Sequence, residues 1–188
     1  MSAIPAGHRV ILASASPRRK ELLSYIIPEF EVIPSGIDEI ATGSPNDQVK
    51  QLAADKAADI ARQYPDALVI GADTLVAVDE RVLGKPADEA EAADMLRLLS
   101  NREHRVYTGV AVVLNSRMKV EANMTYVQFA ELSDEEIREY ISTGEPMDKA
   151  GAYGIQGYGG KFITGIRGDY FNVMGLPLNM LYNMLKEI

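Results

Sequence analysis

Several side chains in this sequence stand where a bound anion or a divalent cation would best account for them. The segment Leu12-Ala13-Ser14-Ala15-Ser16-Pro17-Arg18-Arg19-Lys20 delivers hydroxyls and then three cations to the opening turn of a helix. Cations there oppose the helix dipole, at a cost of about 0.3–1 kcal/mol each. A phosphate held by free N–H groups and an arginine fork accounts for them better than a plain solvated helix start. Asp73 is a carboxylate inside the apolar run Val69 to Val78, at what reads as a strand break over Gly71-Ala72-Asp73-Thr74. An unpaired charge is expensive to bury, so Asp73 calls for a cation or a metal, and it suits a metal ligand or a general base. A bulge residue bonded to backbone N–H is the structural alternative.

Lys56 lies on the helical face of Val49, Leu52, Ala53, Ala57 and Ile60. Its ammonium therefore either points inward or snorkels to water over an apolar stem. Lys85, in Gly84-Lys85-Pro86, sits in a turn about a dozen residues beyond Asp73, and a hairpin starting at Asp73 would bring the chain back. Asp38-Glu39 is an acidic pair that reads as a solvated loop when taken alone and as the completion of a magnesium site when combined with Asp73. The run Asp148-Lys149-Ala150-Gly151-Ala152-Tyr153-Gly154-Ile155-Gln156-Gly157 combines polar side chains with glycine turns. The amide of Gln156 offers both a donor and an acceptor to a nucleobase edge, and the competing reading is a flexible loop. His8 and His104 match no ligand spacing and are expected on the surface.

These residues need elements to position them. Val10 to Ala13 predicts a strand, and Ser16-Pro17 starts a helix running to about Ile26. Phe30 to Pro34 predicts a second strand, and Ser44-Pro45 a helix through Ala61. Ala67 to Val78 reads as one long strand or a strand pair, with Asp79-Glu80 as its turn. Asp88 opens a helix ending near Ser100, with Ala92, Met95, Leu96 and Leu99 at helical spacing. Arg105 to Leu114 and Lys119 to Ala130, joined by Asn115-Ser116-Arg117, predict an antiparallel hairpin. Ser133 and Glu136 form a capping box for a helix to Thr143, with Gly144 as the C′ residue. Nine of the fifteen glycines lie between Gly144 and Gly175, a density that suggests turns closely approaching a ligand, and a last helix runs from about Leu176 to Glu187. Strands and helices mixed in this way predict an α/β fold with a mixed sheet.

Composition narrows the function classes. A chain of 188 residues fits one globular domain or a two-lobed domain with a shared core. Its longest apolar runs, Ala67 to Ala72 and Val110 to Leu114, fall far short of the roughly 20 residues of a spanning helix. The N-terminus is not laid out as a secretory signal, which together with the apolar runs leads to an expected cytoplasmic location. The absence of cysteine removes disulfides, thiolate metal sites and thiol nucleophiles. A net charge of −8 argues against a broad basic face for duplex nucleic acid, while leaving room for a small polyanion held by a few local cations.

Taken in order, Leu-Ala-Ser-Ala-Ser-Pro-Arg-Arg at 12 to 19, Gly-Ala-Asp-Thr at 71 to 74, Gly-Lys-Pro at 84 to 86 and the run at 148 to 157 resemble the Maf family of nucleoside triphosphate pyrophosphatases. The resemblance covers nearly the whole chain. It implies a single domain over residues 1–188, a mixed twisted sheet flanked by helices in a two-lobed fold like that of the inosine triphosphate pyrophosphatases, and a homodimer. It also implies that Asp73 accepts the proton, that Ser14, Arg19, Lys56 and Lys85 hold the triphosphate, and that Glu39 is a further active-site carboxylate. Arg18, Thr74 and Gln156 look like the selectivity residues of the branch that hydrolyses dTTP and UTP. Asp148 and Lys149 join them as substrate-binding candidates or form an ion pair that shapes their loop.

The mechanism this implies uses Mg2+ or Mn2+ on Asp73 and Glu39, with a water directed at the α-phosphorus and pyrophosphate leaving. Two rival readings accompany it. One is a 7-methyl-GTP pyrophosphatase of the sister branch. The other is a nucleotide-binding regulator of division or septation that needs no turnover.

Overall fold

The computed structural model describes residues 7–79 and 81–188. The element order is β1 (Val10–Leu12), α1 (Pro17–Ser24), β2 (Glu31–Val32), α2 (Pro45–Gln63), β3 (Leu68–Val78), β4 (Arg81–Leu83), α3 (Glu89–Leu99), β5 (Glu103–Leu114), β6 (Arg117–Phe129), α4 (Asp134–Ser142), β7 (Ile163–Arg167), α5 (Tyr170–Met174) and α6 (Leu178–Glu187), with three short 3-10 turns between α4 and β7. The strands form one seven-stranded sheet in the order β2-β1-β3-β5-β6-β7, with β4 paired to β3. β1 is parallel to β2 and β3, whereas β4 and β7 run antiparallel to β3 and β6. This is the mixed α/β sheet expected from the alternation of strand and helix signals. Among the described residues no helix is long and apolar enough to cross a membrane.

The chain packs as two compact units. The first takes the described residues up to Asp73 together with Thr108–Asn123 and Gly175–Ile188, and the second takes Thr74–Tyr107 and Met124–Met174. In the first unit, Ala53, Ala57 and Ile60 of α2 pack on Ile11, Val69 and Ala111. Two glycines set how close that helix comes. A Cβ on Gly71 would lie 2.4 Å from the carbonyl oxygen of Ala53, and one on Gly109 would lie 2.1 Å from that of Val49. Small residues on both surfaces thus let α2 lie almost against the backbone of β3 and β5.

This contact explains why β3 is the one long strand of the two sequence readings and runs unbroken through Asp73. Gly71 and Ala72 mark a packing slot for a helix and do not interrupt the ladder. The polar residues within the run keep their place in the strand, with Asp73 buried and Thr74 half-buried.

In the second unit the helical residues Ala92, Met95, Leu96 and Leu99 face a core that includes Phe129, Tyr140, Tyr153 and Phe162. His104 belongs to this core, contrary to its expected surface position, and is 1% exposed. Its ring meets Phe129 and Tyr153 edge-on, and its Nε2 lies 2.8 Å from the Tyr153 hydroxyl. It alternates with outward-facing neighbours on β5, and strand periodicity buries it whatever its polarity.

Most boundaries fall where the capping signals put them. Ser16, Ser44, Asp88 and Ser133 each cap a helix, Ser133 with the full reciprocal box. Gly144 takes the left-handed conformation with φ 73°. Helix α1 ends two residues short of Ile26, α2 runs two residues beyond Ala61, and β2 shrinks to an exposed pair. The hairpin turn is tighter than expected: Asn115 and Ser116 alone take positive φ, and Arg117 already belongs to β6. Asp79 also has positive φ, while its expected turn partner Glu80 lies outside the described residues, as do the first six residues of the leader reading. The final helix, α6, starts two residues after the expected Leu176 with Pro177 at its N-cap, and the short α5 ahead of Gly175 was not expected. β7 had no sequence signal, since Gly165 and Gly168 make its surroundings read as loop; its ladder to β6 and the Arg167 guanidinium 3.8 Å over the Tyr126 ring hold it.

Two outcomes follow from this packing. Gly109→Ala forces α2 off β5 and should cost about 1–3 kcal/mol by overpacking, read as a lowered urea midpoint; an unchanged midpoint would show that the helix has room to spare. Burial pushes the His104 imidazole down to about 4. The unfolded chain therefore binds more protons than the folded one between its ordinary value and that point, and stability falls as pH drops through this window. The wild type should lose about 2 kcal/mol between pH 8 and pH 5 from this group alone. Parallel urea melts of His104→Phe should show that much less pH dependence, and identical slopes would refute the assignment.

Candidate active site

In the first unit the expected residues converge. β1 ends at Leu12 and its backbone continues beside β3, Ala13 N–H donating to the Ile70 carbonyl. Buried Ser14 follows, and its Oγ accepts from the Ser16 N–H at 3.3 Å and from Arg19 Nη1 at 3.1 Å. Ser16 caps α1 through the Arg19 N–H, and Arg19 Nε donates to the Gly175 carbonyl at 2.9 Å. The guanidinium is thus held on two sides with its fork fixed. Burial lowers its pKa, Asp73 opposes that, the neighbouring Arg18 adds to the lowering, and Glu39 again opposes it. Arg18, Arg19, Glu39 and Asp73 therefore lie within electrostatic reach of one another.

Lys56 points inward, as one of its two sequence readings held. It is 8% exposed and Asp73 is 6% exposed, and its Nζ lies 2.7 Å from Asp73 Oδ1. The same ammonium lies 2.7 Å from Oε1 of Glu39, whose side chain is largely exposed. One cation thus joins the two carboxylates proposed as metal ligands. A buried lysine and aspartate neutralise each other, and on removal of either one the other keeps only Glu39 beside Lys56 or the Arg19 charge within reach of Asp73. The second oxygen, Asp73 Oδ2, is buried and has no hydrogen-bond partner among the described residues. Buried polar atoms are nearly always satisfied, so an orphan on a carboxylate beside lysine and arginine fits an atom that meets a ligand or takes a proton. Asp73 and Glu39 are oxygen donors of the kind a divalent ion takes, but the Lys56 ammonium contacts both, and among the described residues no three His, Asp, Glu or Cys side chains group as a metal site.

The second unit holds the remaining candidates. Thr74 follows Asp73 along β3. The register of β3 and β4, with Val76 opposite Leu83, turns the chain back so that exposed Lys85 comes two residues after β4. The Gly84 carbonyl accepts from the Gly151 N–H at 3.0 Å, which ties the Lys85 turn to the segment carrying Asp148 and Lys149. Lys149 donates to Asp148 Oδ1 and to the Glu145 carbonyl, both at 2.6 Å, so its ammonium is engaged inside its own loop. Gln156 is half-buried between Gly154 and Gly157.

Sequence reasoning passed over Tyr140 and Glu145, which anchor the Gln156 segment. No local signal singled out Glu145, which lies past the end of α4 in the first turn of a 3-10 helix, where an acidic residue is ordinary.

The sequence profile of the family described as Maf-like protein matches residues 9–188. A dTTP/UTP pyrophosphatase of Koribacter versatilis is 53% identical over 183 residues, covering 96% of this chain and 95% of that one. One of Clostridium beijerinckii is 53% identical over 186 residues, covering 96% and 99%, and one of Bacillus cereus is 49% identical over 181 residues, covering 95% of each. A solved dITP/XTP pyrophosphatase from Mycobacterium abscessus aligns at 16% identity with a TM-score of 0.48 over 85% of this chain and 86% of that one, a likeness too loose to speak to chemistry. With about half the residues shared along almost the whole length, and with the Ser14, Arg19, Lys56 and Asp73 cluster assembled in one unit, the chain belongs to the Maf family.

Proposed function

We propose that this protein hydrolyses dTTP and UTP, and modified pyrimidine nucleotides related to them, to the nucleoside monophosphate and pyrophosphate, removing them from the nucleotide pool. The observation that carries the reading is the buried Lys56–Asp73 pair with an orphan carboxylate oxygen, in a chain about half identical to relatives named for that activity. Asp73 Oδ2 accepts a proton from water as the oxygen of that water bonds to the α-phosphorus. The bond from that phosphorus to the bridging oxygen breaks, and the electron pair leaves with pyrophosphate. Lys56, held against Asp73 Oδ1, keeps the carboxylate oriented and places positive charge beside the phosphates. Arg19, fixed by Ser14 and the Gly175 carbonyl, presents a preorganised fork to phosphate oxygens, the kind of electrostatic stabilisation that contributes most to such reactions.

The cofactor of this reading is Mg2+ or Mn2+, which Asp73 and Glu39 would hold and which would neutralise charge on the phosphate oxygens. The roles of Lys85 as a phosphate-binding cation, of Arg18, Thr74 and Gln156 in choosing the pyrimidine, and of Asp148 and Lys149 in substrate binding are parts of the same proposal. So are a cytoplasmic location, a homodimer and one domain over the whole chain.

A nucleotide panel with inorganic pyrophosphatase as the coupling enzyme tests the function. UTP and dTTP should release pyrophosphate faster than ATP and 7-methyl-GTP, and Asp73→Asn should lower kcat by about 10²–10⁴-fold, the usual worth of a general base, with an unchanged circular dichroism spectrum. Preference for 7-methyl-GTP would move the chain to the sister specificity, silence on every nucleotide would favour a non-hydrolytic binder, and wild-type turnover by Asp73→Asn would remove Asp73 from the chemistry. Separately, chelation with EDTA should abolish turnover and added Mg2+ or Mn2+ should restore it; full activity after exhaustive chelation would contradict the metal assignment.

A further inference from the structure

The glycine-dense stretch after α4 was expected to bring backbone close to a ligand. At several positions its close neighbours are instead side chains of the protein, and two of these form a clasp. The Glu145 carboxylate takes three donors: Oε1 accepts from the Tyr140 hydroxyl at 2.9 Å and the Gly159 N–H at 3.0 Å, and Oε2 accepts from the Tyr158 N–H at 2.9 Å. Tyr140 is 1% exposed, and its hydroxyl accepts in turn from the Gly154 N–H at 3.1 Å. The two side chains therefore grip the backbone at both ends of one short loop, Gly154 to Gly159, with Gln156 between the grips.

The loop is shaped to this clasp. Gly157 has φ 82°, and a Cβ there would lie 2.5 Å from Glu145 Oε2. A Cβ on Gly159 would lie 2.6 Å from both the Tyr140 hydroxyl and the Gly154 carbonyl. The carboxylate also remains ionised: burial raises its pKa, but the Tyr158 and Gly159 amides, the Tyr140 hydroxyl and the Lys149 ammonium together outweigh that and lower it. Three donors on two oxygens require an acceptor at both, which only the carboxylate supplies.

We infer that Glu145 is a positioning residue for pyrimidine recognition, acting through Tyr140 and the Tyr158 and Gly159 amides to hold the loop that presents Gln156 to the base. The inference rests on the proposed role of Gln156 in that reading. Glu145→Gln is nearly isosteric but turns one acceptor into an NH2 group that faces an N–H donor, so one grip opens while the fold is retained.

The test measures UTP and CTP turnover in the wild type, Glu145→Gln, Gln156→Ala and the double variant, with amide hydrogen exchange over the same loop. Glu145→Gln should raise KM for UTP and lower the UTP/CTP ratio of kcat/KM by about tenfold, the scale of one hydrogen bond, with kcat within about threefold of the wild type. Adding it to Gln156→Ala should leave the ratio where Gln156→Ala alone put it, and the Tyr158 and Gly159 amides should exchange faster. A structural role alone would lower kcat for both nucleotides equally and add to Gln156→Ala, and either result overturns the inference, as does unchanged exchange at Tyr158 and Gly159. If the wild type turns over no nucleotide, the proposed function fails and the inference that rests on it is overturned too, whereas wild-type turnover of UTP with the UTP/CTP ratio unchanged in Glu145→Gln overturns the inference alone. Should Glu145→Gln fail to fold, Tyr140→Phe, which removes the hydroxyl that donates to Glu145 and accepts from the Gly154 N–H while keeping the ring, carries the same comparison.

Discussion

A lysine and an aspartate buried side by side form the constraint around which the first unit is arranged. Neither charge tolerates the interior alone, and their mutual neutralisation depends on Nζ and Oδ1 staying at hydrogen-bond distance. Lys56 rides on α2 and Asp73 on β3, so the pair persists only while helix and sheet are locked together. The alanine face of α2 and the bare backbone at Gly71 and Gly109 provide that lock, bringing the helix closer than any larger residue would allow. The packing of small apolar residues is thereby the condition for the buried charge pair, and Asp73 Oδ2 is left without a hydrogen-bond partner among the described residues.

Charge placed against local preference at the start of α1 includes one firmly anchored group. Arg18 and Arg19 open α1, where the dipole repels them, and Arg19 is held by a serine hydroxyl and a main-chain carbonyl. Glu145, past the end of α4, is likewise anchored, by three donors. A local penalty of a few tenths of a kcal/mol to about 1 kcal/mol is small beside such a set of charge-assisted hydrogen bonds. Lys56 is the extreme case, a cation on the apolar face of its helix that is retained because an anion meets it.

The second unit shows the same economy of space in a different form. Its aromatic core admits one histidine, His104, wedged edge-on between Phe129 and Tyr153 and bonded through Nε2 to a buried hydroxyl. Tyr140 belongs to that core through its ring and to the glycine loop through its hydroxyl, so the packing of Phe162 against it also bears on the loop that carries Gln156. Glycines that would ordinarily signal looseness serve here to let backbone reach a carboxylate and a phenol.

Element types and starts were legible because they are local: a serine or aspartate cap, a proline in the first turn and an apolar stripe at helical spacing act through neighbours in the chain. Lys56 and Asp73 could likewise be singled out as charges in apolar surroundings, because the cost of burying a charge does not depend on the partner. Which partner answers is a matter of distance in space. That Lys56 meets both Asp73 and Glu39, that Arg19 reaches Gly175, that the strand continues unbroken through Asp73, that His104 lies in the core and that Glu145 clasps Tyr158 and Gly159 were all decided by tertiary packing. The sequence alone determined where charge and glycine conflict with local preference; only the folded chain determined what resolves each conflict, because the resolving groups lie far along the chain or in turns whose path is set by long-range contacts.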